Sequence, residues 1–307
     1  MGSCHAGDSL SLIELLPDES IDLAIASPPF ALERKKSYGN PEKIDYVAWL
    51  GQFLLAVRPK LKESGSVVLD IGGSYEKGRP VRSLYPFRLL IHAVDDLGYR
   101  LAEDFYWHNP ARLPSPIEWV NKRRCRAKDS IDTVWWLSKS DMPKADNRRV
   151  LQPYSKRMKR LIGLGQKREA RPSGHMIEAG IAVDRGGAVP SNLLQIPNTA
   201  SASRYQKMLR TLGMLAHPAR FPENLPRFFI RFLTEPGDVV LDFFAGSNTT
   251  GYVAEQEGRR WISFERERDF VAGSLPRFML DASAEAVREA CADVRQGKWV
   301  ALEHART

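Results

Sequence analysis

The most legible chemistry in this 307-residue chain lies in Ser27-Pro28-Pro29-Phe30. The run before it, Ile21 to Ala26, is short, apolar and β-prone, which predicts a strand buried in a parallel sheet. Two prolines end the ladder and fix an extended backbone. Their carbonyls are left free to face the crevice where open α/β sheets bind ligands. Ser27 adds a hydroxyl acceptor and Phe30 a flat ring. Together these groups can hold a planar molecule that bears an exocyclic amine. Standing alone, the tetrapeptide reads equally well as a proline turn with chance neighbours.

A second motif lies far downstream, in Val239-Val240-Leu241-Asp242 followed by Phe243-Phe244-Ala245-Gly246-Ser247-Asn248-Thr249. A strand that ends in an acid, then a glycine turn, then a helix brings backbone close to a nucleotide-like ligand. The helix N–H groups then meet its charged end. Asn248 stands where glycine is more common, so the motif alone is moderately specific. The next strand, Trp261 to Glu265, ends in an acid 23 positions after Asp242. That is the spacing at which a carboxylate holds a ribose diol. Phe243, Phe244, Ala245, Gly246, Ser247, Asn248 and Thr249 are expected to line the same pocket.

The pair of motifs resembles the S-adenosylmethionine-dependent DNA amino-methyltransferases. The order, target-base motif before cofactor motif, is that of their β group, and the Ser-Pro-Pro-Phe form resembles the cytosine-N4 branch. The likeness runs over most of the chain. It departs at the ends, where Gly7-Asp8 stand close to the start and little matches after about Asp281. The resemblance implies a Rossmann-like α/β methyltransferase sheet with helices on both faces, permuted motif order and a smaller basic DNA-recognition lobe. It implies that S-adenosyl-L-methionine is the cofactor and that a cytosine in duplex DNA is methylated at a short specific site. The context it implies is a restriction–modification system with a separate endonuclease. It makes Ser27, Pro28, Pro29 and Phe30 the catalytic set, and places His217, Ala219 and Phe221 at the methionine end of the cofactor. Asp8 either caps the following helix or, on the resemblance, contacts the cofactor's adenine.

Charge points the same way. From Ala111 to Pro190 there are 18 Lys and Arg against eight Asp and Glu, whereas the whole chain is only +8. A basic segment rich in Pro, Gly, Tyr and Trp fits a polyanion partner better than a solvated helix face. Arg34, Lys35 and Lys36 follow the target-base motif. Arg112, Lys122, Arg123, Arg124 and Arg126 sit in a proline-rich loop, and both groups are expected to meet DNA. Cys4, Cys125 and Cys291 lack metal-like spacing and fit a reducing compartment. No apolar segment suggests a signal or a membrane span, so a cytoplasmic monomer or homodimer is expected.

These residues need a scaffold, and the periodicities supply one. Helices are predicted over Tyr46 to Lys60, Leu84 to Leu97, Leu225 to Leu233, Glu267 to Met279 and Ala282 to Arg295, with a short one after Asp8. Strands are predicted over Ser66 to Ile71, Leu101 to His108 and Ile131 to Leu137. Lys139 to about Asn198 has weak periodicity and many breakers. The expected division is a target-base half at 1–138, a recognition lobe at 139–198 and a cofactor half at 199–307.

Rival chemistries are weaker. Cytosine-C5 methylation needs a thiolate, usually in a Pro-Cys pair, and here the cysteines follow Ser3, Arg124 and Ala290. A nicotinamide oxidoreductase would leave Ser27 to Phe30 without a role. A non-catalytic DNA-binding subunit would not need both motifs intact. Adenine-N6 methylation uses the same geometry and is the serious alternative.

Overall fold

The computed structural model describes residues 2–30, 45–164, 169–170, 176–177, 183–199, 203–214 and 217–302. Two compact units emerge, residues 1–144 with 192–307, and Ala145–Ser191.

The strands in chain order are β1 (Gly2–Ala6), β2 (Ile21–Ala26), β3 (Leu61–Ile71), β4 (Arg100–His108), β5 (Ile131–Ser138), β6 (Glu169–Ala170), β7 (Met176–Ile177), β8 (Leu193–Gln195), β9 (Val239–Asp242) and β10 (Arg260–Glu265). Eight of them form the sheet of the larger unit in the order β1-β10-β9-β2-β3-β5-β4-β8. All neighbours are parallel except β5, which runs antiparallel to both β3 and β4. The carboxyl ends of β1, β2, β3, β4, β9 and β10 therefore share one edge with the start of β5. Late strand β9 lies against early strand β2, which places Ser27 beside the turn after Asp242 at the point where strand order reverses.

The helices are α1 (Ser9–Glu14), α2 (Tyr46–Val57), α3 (Tyr85–Ile91), α4 (Lys156–Leu164), α5 (Arg204–Thr211), α6 (Asn224–Leu233), α7 (Thr249–Gln256), α8 (Arg268–Ser274) and α9 (Ala284–Arg295). Alternation along the strands divides the core into two layers. Trp135 and Leu137 join the cluster that holds Leu50, Leu54 and Val57 of α2 and Leu89 of α3. Trp136 and Phe105 point the other way and meet Phe232 and Phe229 of α6 at ring separations of 5.2 and 5.1 Å. All six residues of β2 are buried, Asp22 included. Its carboxylate is held by Lys62 Nζ at 2.8 and 2.9 Å and accepts the Val239 N–H at 2.9 Å, so it ties β9 to β2.

Two strands of the sheet lack a sequence signal. β1 is Gly-Ser-Cys-His-Ala, with no apolar run, and it pairs with β10 through the backbone ladder, with the His5 ring edge-on to Phe264 at 6.0 Å. A Cβ on Gly2 would lie 2.2 Å from the Trp261 ring, so glycine lets the strands close. β8 is three residues long and pairs with β4. The lobe boundaries are corrected accordingly. Lys139 donates to the Leu61 carbonyl and Lys144 to Asp238, which keeps 139–144 with the sheet, while β8 returns 192–198 to it.

The smaller unit contains α4, the β6–β7 pair and a bridge between Gln152 and Ala188. No residue of α4 is buried, and Lys156, Arg157, Lys159 and Arg160 on it are exposed. No helix among the described residues is long and apolar enough to cross a membrane.

Candidate active site

A cleft of about 400 Å³ opens at the shared edge of the sheet. The segments that line it come from the ends of four strands: Asp8 and Ser9 after β1, Ser27 to Phe30 after β2, Phe243 to Ser247 with Thr249 after β9, and Glu265 to Glu267 with β10. His217, Ala219, Arg220, Phe221 and Phe270 close one side, and Trp49 and Phe53 of α2 support the other. Phe244 rests on Trp49 and Phe53 at ring separations of 5.5 and 4.8 Å.

In the target half, Ser27 Oγ donates to Asp70 Oδ2 at 3.1 Å. Asp70 ends the Val67-Val68-Leu69-Asp70 run of β3 and is 5% exposed. Its Oδ1 has no hydrogen-bond partner among the described residues. Burial and the neighbouring Asp132 carboxylate push its pKa well up, against the Ser27 hydrogen bond and the Arg112 charge. Phe30 packs on Gly72, where a Cβ would meet its ring at 2.2 Å. The glycine therefore seats the ring against bare backbone.

In the cofactor half, Gly246 has φ +51°, and a Cβ there would stand 3.1 Å from the His217 ring. Both facts favour glycine. The Gly246 N–H donates to Glu265 Oε2 at 2.8 Å and the Glu267 N–H to Oε1 at 2.9 Å. Burial still raises the Glu265 pKa. His217 Nδ1 pairs with the Ala219 carbonyl at 2.5 Å, which makes Nδ1 the protonated nitrogen. Burial lowers the His217 pKa. Asp8 does two things at once: it caps α1 by accepting from the Ser11 N–H at 3.0 Å, and it lines the cleft.

Two expected cofactor contacts lie behind the wall instead. Asp242 does not line the cleft; its Oδ1 accepts the Phe244 N–H at 3.0 Å and burial pushes its pKa up to about 7. It braces the turn. Asn248 is left-handed, at φ +51° and fully buried, a conformation asparagine tolerates better than most residues. Its side chain caps α7 through the Gly251 N–H at 3.2 Å and accepts from Ser263 Oγ at 2.8 Å. The left-handed turn forms without the usual glycine because this amide bonds locally.

Residues without a sequence signal complete the site. Arg277, 6% exposed, donates from Nε to the Ser247 carbonyl at 2.7 Å, and from Nη2 to Ser247 Oγ at 3.1 Å and Thr249 Oγ1 at 3.0 Å. Tyr205 of α5 lies under its guanidinium at 4.0 Å. A buried cation thus fixes the turn from the rear. Asp70 had an available signal: its Val-Val-Leu-Asp run repeats residue for residue in Val239 to Asp242.

The expected phosphate contacts divide. Arg112 is corrected: its guanidinium holds the buried Asp132 carboxylate with both Nη atoms, one at 3.0 Å, and anchors the loop. Arg126 donates to the Pro80 carbonyl at 3.0 and 2.7 Å. Lys122 and Arg123 pair with Glu118 and remain 69% and 65% exposed, while Arg124 is exposed at φ +52°. Arg34, Lys35 and Lys36 lie outside the described residues. Burial also raises the thiol pKa of Cys4 and Cys291, and Cys125 does not line the cleft.

Comparison with known proteins agrees with this geometry. A family model for DNA methylases matches residues 21–275. The chain is 56% identical over 281 residues to the type II methyltransferase M.PvuII of Proteus hauseri, covering 91% of this chain and 84% of that protein. It superposes on the structure of the PvuII DNA methyltransferase (cytosine-N4-specific) with a TM-score of 0.80 at 48% identity, over 97% of this chain and 93% of that one. TTHA0409 of Thermus thermophilus, solved with S-adenosyl-L-methionine, shares the fold at a TM-score of 0.58 and 18% identity, over 92% and 96% of the two chains. With Ser27 to Phe30, the glycine turn and the β10 acid gathered in one cleft, this chain belongs to the DNA methylase family.

Proposed function

We propose that the protein moves the methyl of S-adenosyl-L-methionine to the exocyclic N4 amine of a cytosine turned out of duplex DNA. Its setting would be a bacterial cytoplasm, as the modification enzyme of a restriction–modification system. One observation carries this most directly. Ser27, hydrogen-bonded to the buried Asp70, opens into the same cleft as the Gly246 turn and Glu265.

The cofactor's fit rests on this chain's own groups. Gly246 lets the His217 ring close on the turn, Glu265 stands at the end of β10, and Arg277 supports Ser247 and Thr249 near the start of α7. The cofactor supplies a methyl group already activated on a sulfonium. What remains for the protein is alignment, which can recover roughly 7–11 kcal/mol of a barrier.

The cytosine amine is a poor nucleophile because its lone pair is delocalised into the ring. Ser27 donates its own proton to Asp70, so its oxygen is left as an acceptor for an amine hydrogen. The Pro28 carbonyl is a second acceptor. Two acceptors favour a pyramidal nitrogen with its lone pair free. Phe30, seated on Gly72, stacks on the base, worth about 1–3 kcal/mol. The proton shed after transfer passes to Ser27 and on to Asp70, whose raised pKa makes it a better acceptor than an exposed carboxylate.

The exposed cations of the 109–130 loop and of Ala145–Ser191 would carry the duplex, with the smaller unit as the recognition lobe. Single-molecule sequencing of DNA from cells expressing the protein tests the reading. N4-methylcytosine in one short context is expected. N6-methyladenine would move the activity to the sister amine, and unmodified DNA would overturn it.

A further inference from the structure

Leu113 stands 80% exposed in the loop between β4 and β5, with Ile117 at 61%. Single exposed apolar side chains are common. Leu113 differs in how firmly it is held and in what surrounds it. The Asn109 N–H donates to the Ser130 carbonyl at 2.9 Å, and the Ala111 N–H to Asn109 Oδ1 at 3.1 Å. The Asp129 N–H donates to the Ser115 carbonyl at 3.1 Å, and Lys128 Nζ to the Pro110 carbonyl at 3.2 Å. Both arms of the loop are therefore pinned while the leucine is left in solvent. No packing among the described residues accounts for it.

Its place in the fold is specific. The residue before it, Arg112, grips Asp132 at the start of β5. Asp132 acts electrostatically on Asp70, which accepts from Ser27. A short chain of charged groups thus links the base of Leu113 to the hydroxyl that meets the target amine. Around it the same loop exposes Lys122, Arg123 and Arg124, which suit a phosphate backbone.

We propose that Leu113 is a wedge that enters the duplex and fills the space vacated when the target cytosine swings into the cleft. The proposal rests on the DNA-methylating reading above. Apolar side chains inserted between base steps offset lost stacking, and turning a base out costs least when it is already unpaired. The wedge therefore matters for a paired cytosine and not for one that has no partner.

The experiment uses two forms of an oligonucleotide duplex carrying the sequence context methylated by the wild-type enzyme. One form is fully paired; in the other the guanine opposite the target is an abasic site. For Leu113→Ala, kcat/KM on the paired duplex should fall on the order of tenfold to a hundredfold, and on the abasic duplex by under about threefold. Leu113→Met should restore the paired rate. Equal losses on both duplexes would make Leu113 a general binding contact and overturn the wedge. No loss on either duplex would overturn it as well, leaving the side chain to a protein partner or to none. Failure of the wild-type enzyme on every DNA would instead overturn the function, a separate result.

Discussion

The tetrapeptide Val-Val-Leu-Asp occurs twice in this protein, at or one residue before the end of a strand, yet its two acids do different work. Asp242 faces away from the cleft, where its carboxylate accepts the Phe244 N–H and feels the Thr250 hydroxyl of α7, and so it fixes the turn after β9. Asp70 turns its carboxylate to a side chain, accepting from Ser27, and leaves Oδ1 without a partner among the described residues. Burial raises the pKa of both. An acid held by the turn and helix that follow it is a brace. An acid whose partner is a hydroxyl facing the substrate can exchange a proton. The same four residues give two roles because their neighbours differ: Asp242 meets the turn that follows it, while Asp70 meets Ser27 at the end of the adjacent strand β2.

Variants can break this contrast, and the largest effect is expected at Ser27. Ser27→Ala removes an acceptor for the amine and should lower turnover on the order of 10²–10³ while calorimetry shows unchanged cofactor affinity. Near-normal turnover would remove Ser27 from the chemistry. In the other half, Glu265→Ala and Arg277→Met should weaken cofactor binding by about tenfold or more, since each frees groups now held at the turn. Unchanged affinity in both would mean that the cleft is held some other way.

A smaller effect is expected at Gly72. Gly72→Ala displaces the Phe30 ring and should lower kcat by about tenfold, the range lost with one stacking contact, without changing cofactor affinity. The pH profile sharpens the contrast further. Asp70 must be ionised to receive a proton, so activity should fall as pH drops through its raised pKa, and the acid limb should lie above the ordinary carboxylate range. Asp70→Asn should abolish that limb. A limb at an ordinary carboxylate pKa, or one that survives in Asp70→Asn, would exclude the carboxylate as acceptor. The smallest effect is expected in the loop. Neutralising Lys122, Arg123 or Arg124 singly should reduce the salt slope of DNA binding by about one and leave sequence preference intact.

Where a pattern rests on apolar runs and breakers, the sequence shows it plainly. β2, β9, β10 and α6 fall where their buried faces predict, and Ser27, Gly246 and Glu265 meet in one cleft. The misses have physical causes. β1 is held by backbone pairing with β10, so Gly-Ser-Cys-His-Ala has no hydrophobic period to read. Arg112 looked like a phosphate contact because its partner, Asp132, lies 20 positions away on another element. Arg277 lies 28 positions after Thr249, and only folding brings it beneath the turn. Asn248 looked like a ligand contact, but its left-handed backbone turns the amide into a helix cap. Long-range polar pairing, unlike burial, has no periodicity along the chain.

The most direct test measures methyl transfer and cofactor affinity on the same two proteins, Asp70→Ala and Asp242→Ala. The division of roles predicts opposite outcomes. Asp70→Ala should bind S-adenosyl-L-methionine as the wild type does and transfer its methyl on the order of a hundredfold more slowly. Asp242→Ala should lose affinity first, with turnover recovered in part at saturating cofactor. Normal transfer by Asp70→Ala, or unchanged affinity in Asp242→Ala, would contradict the division between a brace and a proton acceptor.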